Sequence, residues 1–276
     1  MRLSSLSRLG LRGITIIGLV FLYVPLIVVV ILAFNRADST LWPPTGWTLD
    51  WWRQAWHTSA PKNAFVQSIQ IAAAATTIAL ILGTLAAFAM SRFSFFGKSA
   101  ISYLLVLPIA LPGIVTAVAL KNTFLRRIDL GFVSFKVGFG VHSIIIAHST
   151  FCIVVTYNNV VARLRRSSPN LLEASADLGA HGLRTFWSVT FPLVRSALVA
   201  GGILAFALSF DEIVVTSFTA GPGDQTLPQW ILNSFGRSKG VPVTNVMATV
   251  VMALSIPLAW LAQRLSDTTD SIAGRR

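Results

Sequence analysis

Two adjacent carboxylates, Asp211 and Glu212, stand inside a long apolar run, residues 197–218, that has the length of a transmembrane helix. A charge at the centre of such a helix costs about 3 kcal/mol or more, so it is a candidate for a functional role. At about 1.5 Å per residue, a continuous helix would place both acids roughly 21 Å from its inner end, with side chains about 100° apart. One acid could then line a passage and stabilise a cation in transit. The alternative is that both bind nearby arginines or backbone groups at the outer mouth.

Motifs for catalysis and cofactor binding are incomplete in this sequence. Gly97-Lys98-Ser99 matches the end of a phosphate-binding loop, but Arg92 stands where the first glycine of that loop is required. Cys152 is a single cysteine, so no disulfide can form within the chain. The histidines show no paired metal-ligand spacing, and none serves a serine-centred nucleophile elbow; they are His57, His142, His148 and His181. We therefore expect no catalytic residue, no metal site and no cofactor bound by this chain.

The composition predicts that these residues are carried by membrane helices. Of the 276 residues, 54% are hydrophobic and 12% are charged, and the mean hydropathy is +0.70, which excludes a soluble globular protein. A bilayer core needs about 20 apolar residues of helix. We predict an all-α integral membrane fold, a single transmembrane domain over residues 1–276, with six transmembrane helices at 14–34, 68–90, 101–120, 142–161, 197–218 and 243–263.

The net charge of +12 is spread along the chain and is interpreted as a topology signal rather than as a nucleic-acid surface. Six spans put both termini on one side, and that side carries 13 of the 22 lysines and arginines. The excess predicts cytoplasmic termini. The first span follows basic residues like a secretory signal, but its apolar run is too long and no cleavage site follows, so we expect it to be retained.

Three local patterns qualify the spans. Five tryptophans between the first two spans predict a short interfacial helix at 49–56, either a platform for an external partner or an anchor at the membrane boundary. Pro108 and Pro112 predict a kink or unwound turn in the third span. Small residues recur every four positions in the second and fifth spans and predict close helix packing; the rows are Ala75, Ala79, Gly83, Ala87 and Ala197, Gly201, Ala205, Ser209.

The inner loop between the fourth and fifth spans predicts a helical hairpin at 167–192. Ser167-Ser168-Pro169-Asn170 is typical of a helix start, residues 171–178 give about two turns, and Gly179 can close them in a left-handed conformation. A second helix at 185–190 would lead through Phe191-Pro192 into the fifth span.

This hairpin resembles a known sequence family. Glu173-Ala174-Ser175-Ala176-Asp177-Leu178-Gly179, followed by Phe191-Pro192, is similar to the EAA loop of the inner-membrane permease subunits of bacterial binding-protein-dependent ABC importers. Ser175 departs from the usual alanine. Further stretches resemble the second permease of spermidine/putrescine-type importers: Ser209-Phe210-Asp211-Glu212-Ile213-Val214-Val215-Thr216-Ser217-Phe218-Thr219-Ala220-Gly221-Pro222, Thr226-Leu227-Pro228 and Asn245-Val246-Met247-Ala248-Thr249.

The resemblance implies a permease subunit, without enzymatic activity, that forms half of a substrate passage in a bacterial inner membrane. It implies a second permease, an ATPase dimer that binds ATP and Mg, and an external substrate-binding protein as partners, beside membrane lipid. It also implies that the hairpin couples to the ATPase through Glu173, Ala174, Ser175, Asp177, Leu178 and Gly179. The implied substrate is a polyamine. The alternatives are another solute, such as an opine, an amino-acid derivative or a phosphonate, an ion-coupled carrier, or a membrane scaffold without transport.

Overall fold

The computed structural model describes residues 5–39, 42–129, 131, 134–168, 170–235 and 240–273. The chain divides into two units, one formed by residues 1–63 with 230–253 and the other by 64–229 with 254–276. The helices are α1 Ser5–Leu32, α2 Asp50–His57, α3 Ser59–Arg92, α4 Lys98–Ala110, α5 Gly113–Leu125, α6 Val141–Arg165, α7 Asn170–Asp177, α8 Gly182–Thr185, α9 Phe191–Phe210, α10 Val214–Thr219, α11 Leu227–Ser234 and α12 Val241–Ala273. A short antiparallel pair joins β1, Ile128–Asp129, to β2, Ser134–Phe135.

The helices account for the predicted spans. In the described part of the chain, five helical segments are long and apolar enough to cross a membrane: Ser7–Leu32, Ser59–Arg92, Val141–Arg165, Gly182–Phe210 and Val241–Ala262. Helices α4 and α5 pass the same test together but are bent by 106°. They supply the sixth span if the bent pair counts as one broken helix, so the structure agrees with the predicted all-α membrane architecture.

The kink predicted for the third span lies at Pro112. Helix α4 runs through Pro108 and ends at Ala110, and α5 begins after Pro112, whose nitrogen cannot donate a hydrogen bond. The fifth span, however, was predicted wrongly as one helix over 197–218. Helix α9 ends at Phe210, and the chain turns before α10 begins at Val214. Asp211 and Glu212 therefore lie in a break, and their predicted separation of about 100° around one helix does not apply.

The predicted hairpin is present with shifted boundaries. Helix α7 covers Asn170–Asp177, while Pro169, which the sequence suggested for the helix start, lies outside the described residues. The second helix was expected at 185–190 and is longer. Helix α8, a π-helical segment at Phe186–Thr190 and α9 form one continuous helical run, Gly182–Phe210, and Pro192 does not interrupt it. Pro192 is tolerated because it stands near the start of α9, directly after the π segment.

The core of the second unit forms around α6. Helix α3 approaches α6 through its predicted small-residue row, where Ala75, Ala79 and Ala87 are fully buried. A Cβ atom at Gly83 would lie 2.8 Å from the carbonyl oxygen of Ile153, so glycine is required for this approach. Helix α9 packs on the same helix, with Gly201 against Asn159. The two small-residue rows thus do the packing that the sequence predicted.

The first unit contains the tryptophan-rich segment. The expected interfacial helix at 49–56 is α2, Asp50–His57. The Trp51 Nε1 atom donates to the carbonyl oxygen of Asn35 at 2.8 Å, and the Trp52 ring packs 5.1 Å from Phe34. Trp47 remains 66% exposed. Whether this segment serves as a platform or as an anchor stays a prediction.

Candidate functional site

The break after α9 gives its two acids different surroundings. The Glu212 Oε1 atom accepts a hydrogen bond from the backbone N–H of Val215 at 2.8 Å, so Glu212 caps the start of α10. Asp211 ends α9 with φ −91° and ψ 1°, and its side chain is exposed. In the described structure the Asp211 carboxylate makes no hydrogen bond or ion pair. The carbonyl end of a helix carries partial negative charge, so Asp211 and the end of α9 together favour a cation.

A buried histidine holds the two sides of this break to α6. His148 is fully buried, and its Nδ1 lies 2.8 Å from Ser209 Oγ at the end of α9. Its Nε2 lies 3.0 Å from Thr216 Oγ1 on α10. The Thr216 hydroxyl donates its proton to the carbonyl oxygen of Glu212 at 3.0 Å, so it accepts from His148 Nε2–H, and Nδ1 accepts from Ser209. The network thus assigns a neutral His148 that fixes the geometry of the break.

The segment after α10 is also anchored by side chains. The Ser143 Oγ atom, at the start of α6, lies 2.7 Å from the carbonyl oxygen of Thr219. Gln67 on α3 donates to Asp224 Oδ1 at 3.0 Å and accepts from the N–H of Gln225 at 3.1 Å. The buried N–H of Leu227 donates to Ser68 Oγ at 2.7 Å. Helix α10 is therefore held at both ends, while Asp211 remains free to meet a ligand.

The broken third span meets the broken fifth span. Helix α5 packs against α10, and Ala117 and Phe124 of α5 share an apolar cluster with Val215 of α10. Non-helical backbone at membrane depth is stable only where protein covers it or where it lines a wet cavity. Paired broken helices are a common way to build a substrate site in a membrane. The second unit thus contains one such pairing, with a free carboxylate at one of its breaks.

The hairpin presents most of its predicted coupling residues to the outside. Glu173, Ala174, Asp177, Leu178 and Gly179 are exposed, and Leu178 reaches 87%. Such exposure of a leucine on a helix outside the spans fits a docking surface for a partner.

Ser175 is the exception in the predicted coupling set. It is buried, and its Oγ lies 3.0 Å from Thr185 Oγ1, so it closes the hairpin onto α8. The departure from alanine at this position thus has a structural use inside the hairpin.

Gly179 ends α7 as predicted. Its φ is +74°, in the left-handed region that favours glycine. Its N–H bonds the carbonyl oxygen of Ala176 at 2.8 Å, and the N–H of Ala180 bonds that of Ser175 at 3.0 Å. This pair of bonds is the Schellman motif, which gives the helix a fixed end. The hairpin is therefore a rigid element rather than a flexible loop.

The remaining candidate groups do not form a catalytic or metal site. Within the part of the chain that the structure describes, no group of three or more His, Cys, Asp or Glu side chains is placed to hold a metal ion. Cys152 is buried in the core, where its Sγ donates to the carbonyl oxygen of Ala205 at 3.3 Å.

Sequence comparison decides the family. Residues 79–270 match the family described as the binding-protein-dependent transport system inner membrane component. The chain belongs to this family. It is a multi-pass membrane permease and not an enzyme, as the resemblance implied, and the carrier and scaffold alternatives are set aside.

Individual relatives agree with this assignment. The chain is 34% identical over 241 residues to the putrescine transport system permease protein PotI of Escherichia coli strain K12, covering 87% of this chain and 84% of that protein. It is 33% identical over 264 residues to the spermidine/putrescine transport system permease protein PotC of Haemophilus influenzae, covering 95% and 98%. A crystal structure of a bacterial ABC transporter involved in the import of the acidic polysaccharide alginate shares the fold, with a TM-score of 0.63, 17% identity and coverage of 94% and 95%.

Proposed function

We propose that this chain is one permease subunit of a polyamine importer and forms half of its passage. It would work with a second permease, an ATPase dimer and an external substrate-binding protein, with both of its termini in the cytoplasm. The support for the substrate class is that the relatives at 33–34% identity are named for putrescine and spermidine transport. ATP and Mg would be bound by the ATPase partner, and this chain would bind neither.

The free carboxylate of Asp211 carries the proposal for the passage. Polyamines are cations that lose hydration on entering a membrane protein, and a carboxylate at the negative end of a helix offsets part of that loss. Asp211 is exposed at the end of α9, whereas the Glu212 carboxylate already accepts the N–H of Val215. We therefore assign the contact with substrate to Asp211 and the capping of α10 to Glu212.

Neutral substitutions separate these two roles. Asp211→Asn removes the charge, and the loss of one charge-assisted hydrogen bond, about 1.5–3 kcal/mol, should lower putrescine uptake by roughly 10- to 100-fold. Glu212→Gln is the matched control, because its amide oxygen can still accept from Val215, and uptake should stay near the parent rate. Uptake is measured in proteoliposomes at equal amounts of assembled transporter, with putrescine binding by the external protein as a check. Parent-rate uptake by Asp211→Asn would refute the passage role.

The exposed hairpin is proposed as the contact with the ATPase. Glu173→Lys reverses an exposed charge in the first turn of α7, and Gly179→Asp places a side chain on the left-handed helix end. Either change should abolish substrate-stimulated ATP hydrolysis while the protein still inserts in the membrane. Gly182→Asp is the control, because Gly182 lies in the same hairpin without a positive φ and with open space around it. Normal stimulation in both hairpin variants would contradict the proposal.

A further inference from the structure

A polar cavity lies where α3 ends, α4 begins and α6 ends. Its volume is about 170 Å³. Two cationic side chains and four hydroxyl groups line it: Lys98, Arg165, Ser91, Ser99, Ser102 and Tyr157. No aspartate or glutamate belongs to the lining. Such a cavity is unlike the apolar surfaces that membrane helices present to lipid tails or to each other.

The two cations have capacity for a ligand. The Lys98 Nζ atom donates to the carbonyl oxygen of Phe93 at 2.9 Å, which leaves two of its three protons. Arg165 makes no hydrogen bond or ion pair in the described structure, so its full set of N–H donors is available. Tyr157 is 3% exposed, and its hydroxyl lies 3.4 Å from Ser102 Oγ, a long contact that leaves both groups able to bind another acceptor. This donor set fits a phosphate group.

The surroundings of the cavity indicate where the phosphate comes from. Helix α4 contributes no buried residue, and Tyr103 and Leu104 are 79% and 63% exposed. In the adjoining loop, residues 93–97, the side chains of Phe93 and Phe96 are exposed. Aromatic and apolar side chains of a membrane permease that protein does not cover lie in the bilayer and its interface. The cavity is thus a headgroup-sized polar site beside a surface for acyl chains.

We propose that Lys98 and Arg165, with the serine hydroxyls of this cavity, bind the phosphate of an anionic phospholipid. The acyl chains lie along the exposed face of α4. Because α6 ends at Arg165 and α7 begins at Asn170, the bound headgroup sits beside the base of the hairpin. This site does not depend on the identity of the transported substrate.

Lipid binding to the assembled transporter tests the proposal. Dioleoylphosphatidylglycerol, dioleoylphosphatidylcholine and inorganic phosphate are titrated separately into the detergent-solubilised complex, and bound lipid is counted by native mass spectrometry. The parent should bind phosphatidylglycerol more tightly than phosphatidylcholine, whose headgroup carries a compensating cation. Lys98→Gln with Arg165→Gln should weaken phosphatidylglycerol binding by about tenfold or more, since two charged donors are lost. Arg126→Gln with Lys136→Gln, which removes the same charge from exposed positions elsewhere, should leave it unchanged.

Further arms keep the outcome decisive. If the double glutamine variant does not assemble, Lys98→Arg with Arg165→Lys keeps both charges and should retain binding, while Ser99→Ala with Ser102→Ala should weaken it. Equal binding of phosphatidylglycerol by the parent and the double glutamine variant would overturn the proposal. Displacement of no lipid but saturable binding of inorganic phosphate would reassign the cavity to a free anion. Lipid binding by this chain alone that disappears in the assembled transporter would show that the second permease covers the site.

Discussion

The close approach of α3 to α6 at Gly83 gives a prediction that the structure quantifies. An added Cβ atom at Gly83 would lie 2.8 Å from the carbonyl oxygen of Ile153 and 3.0 Å from Thr156 Cβ, contacts with backbone and a branched side chain that cannot easily move. Gly202, on α9, is the matched comparison. Its Cβ atom would lie 3.4 Å from the nearest atom, at the flexible end of the Leu80 side chain, which is an ordinary van der Waals contact.

The expected difference follows from two opposing terms. Replacing a helical glycine by alanine gains about 1 kcal/mol of helix propensity at either position. Overpacking a close contact costs typically about 1–3 kcal/mol, and only Gly83→Ala incurs this cost. Gly83→Ala should therefore be about 1–3 kcal/mol less stable than Gly202→Ala, whereas Gly202→Ala should match or exceed the parent.

Reversible unfolding in mixed detergent micelles measures this difference. The free energy of unfolding is obtained for both variants and the parent from titration with a denaturing detergent, with tryptophan fluorescence and circular dichroism as independent probes. Coincident transitions are needed for a two-state analysis. Equal stability of the two alanine variants would show that α3 and α6 can separate at no cost, and the argument from close packing would fail.

Three other predictions follow from the buried polar groups and the missing nucleotide motifs. His148→Leu should lower the free energy of unfolding by about 1–3 kcal/mol, because it leaves Ser209 Oγ unpaired, whereas the same change at the exposed His142 should cost less. Ser68→Ala should destabilise by a similar amount because the buried N–H of Leu227 loses its acceptor, while a serine to alanine change at an exposed helical position should be nearly neutral. The purified chain without its ATPase should bind no ATP in equilibrium dialysis.

Each of these predictions has a defined failure. Equal thermal stabilities of the two histidine variants would mean that the buried ring does not hold the break between α9 and α10. A Ser68→Ala variant as stable as the parent would indicate that Leu227 finds another acceptor. Micromolar nucleotide affinity of the isolated chain would reveal a site that its motifs do not predict.

The spans were predictable because lipid imposes a length and an apolar composition on each helix. The hairpin was also accessible to local rules, since Gly179 marks a helix end through its own backbone freedom. The kink in the third span could be predicted because the cause, Pro112, stands at the break itself. These features share a property: the physical cause and its effect lie within a few residues of each other.

The break in the fifth span was missed because its causes are distant in sequence. Treating residues 197–218 as one helix forced both acids into lipid, and the high cost of that arrangement was itself a signal that the helix might end before them. The bonds that fix the break come from His148, 61 residues before Ser209 and 68 before Thr216. A lone histidine in an apolar helix gives no indication of such partners. Its role became visible only when α6, α9 and α10 were brought together.

The π-helical segment Phe186–Thr190 sets the direction in which the hairpin points. A π turn accommodates one more residue than an α turn, so α8 and α9 are joined out of the phase that a uniform helix would give. Rewinding this segment as α-helix would rotate α8 about the axis of α9 by about 100°, the angle of one residue. Deleting one residue here would remove the π turn and keep the original angle. Insertions and deletions at 186–190 therefore act as a rotational setting between the two halves of this helical run.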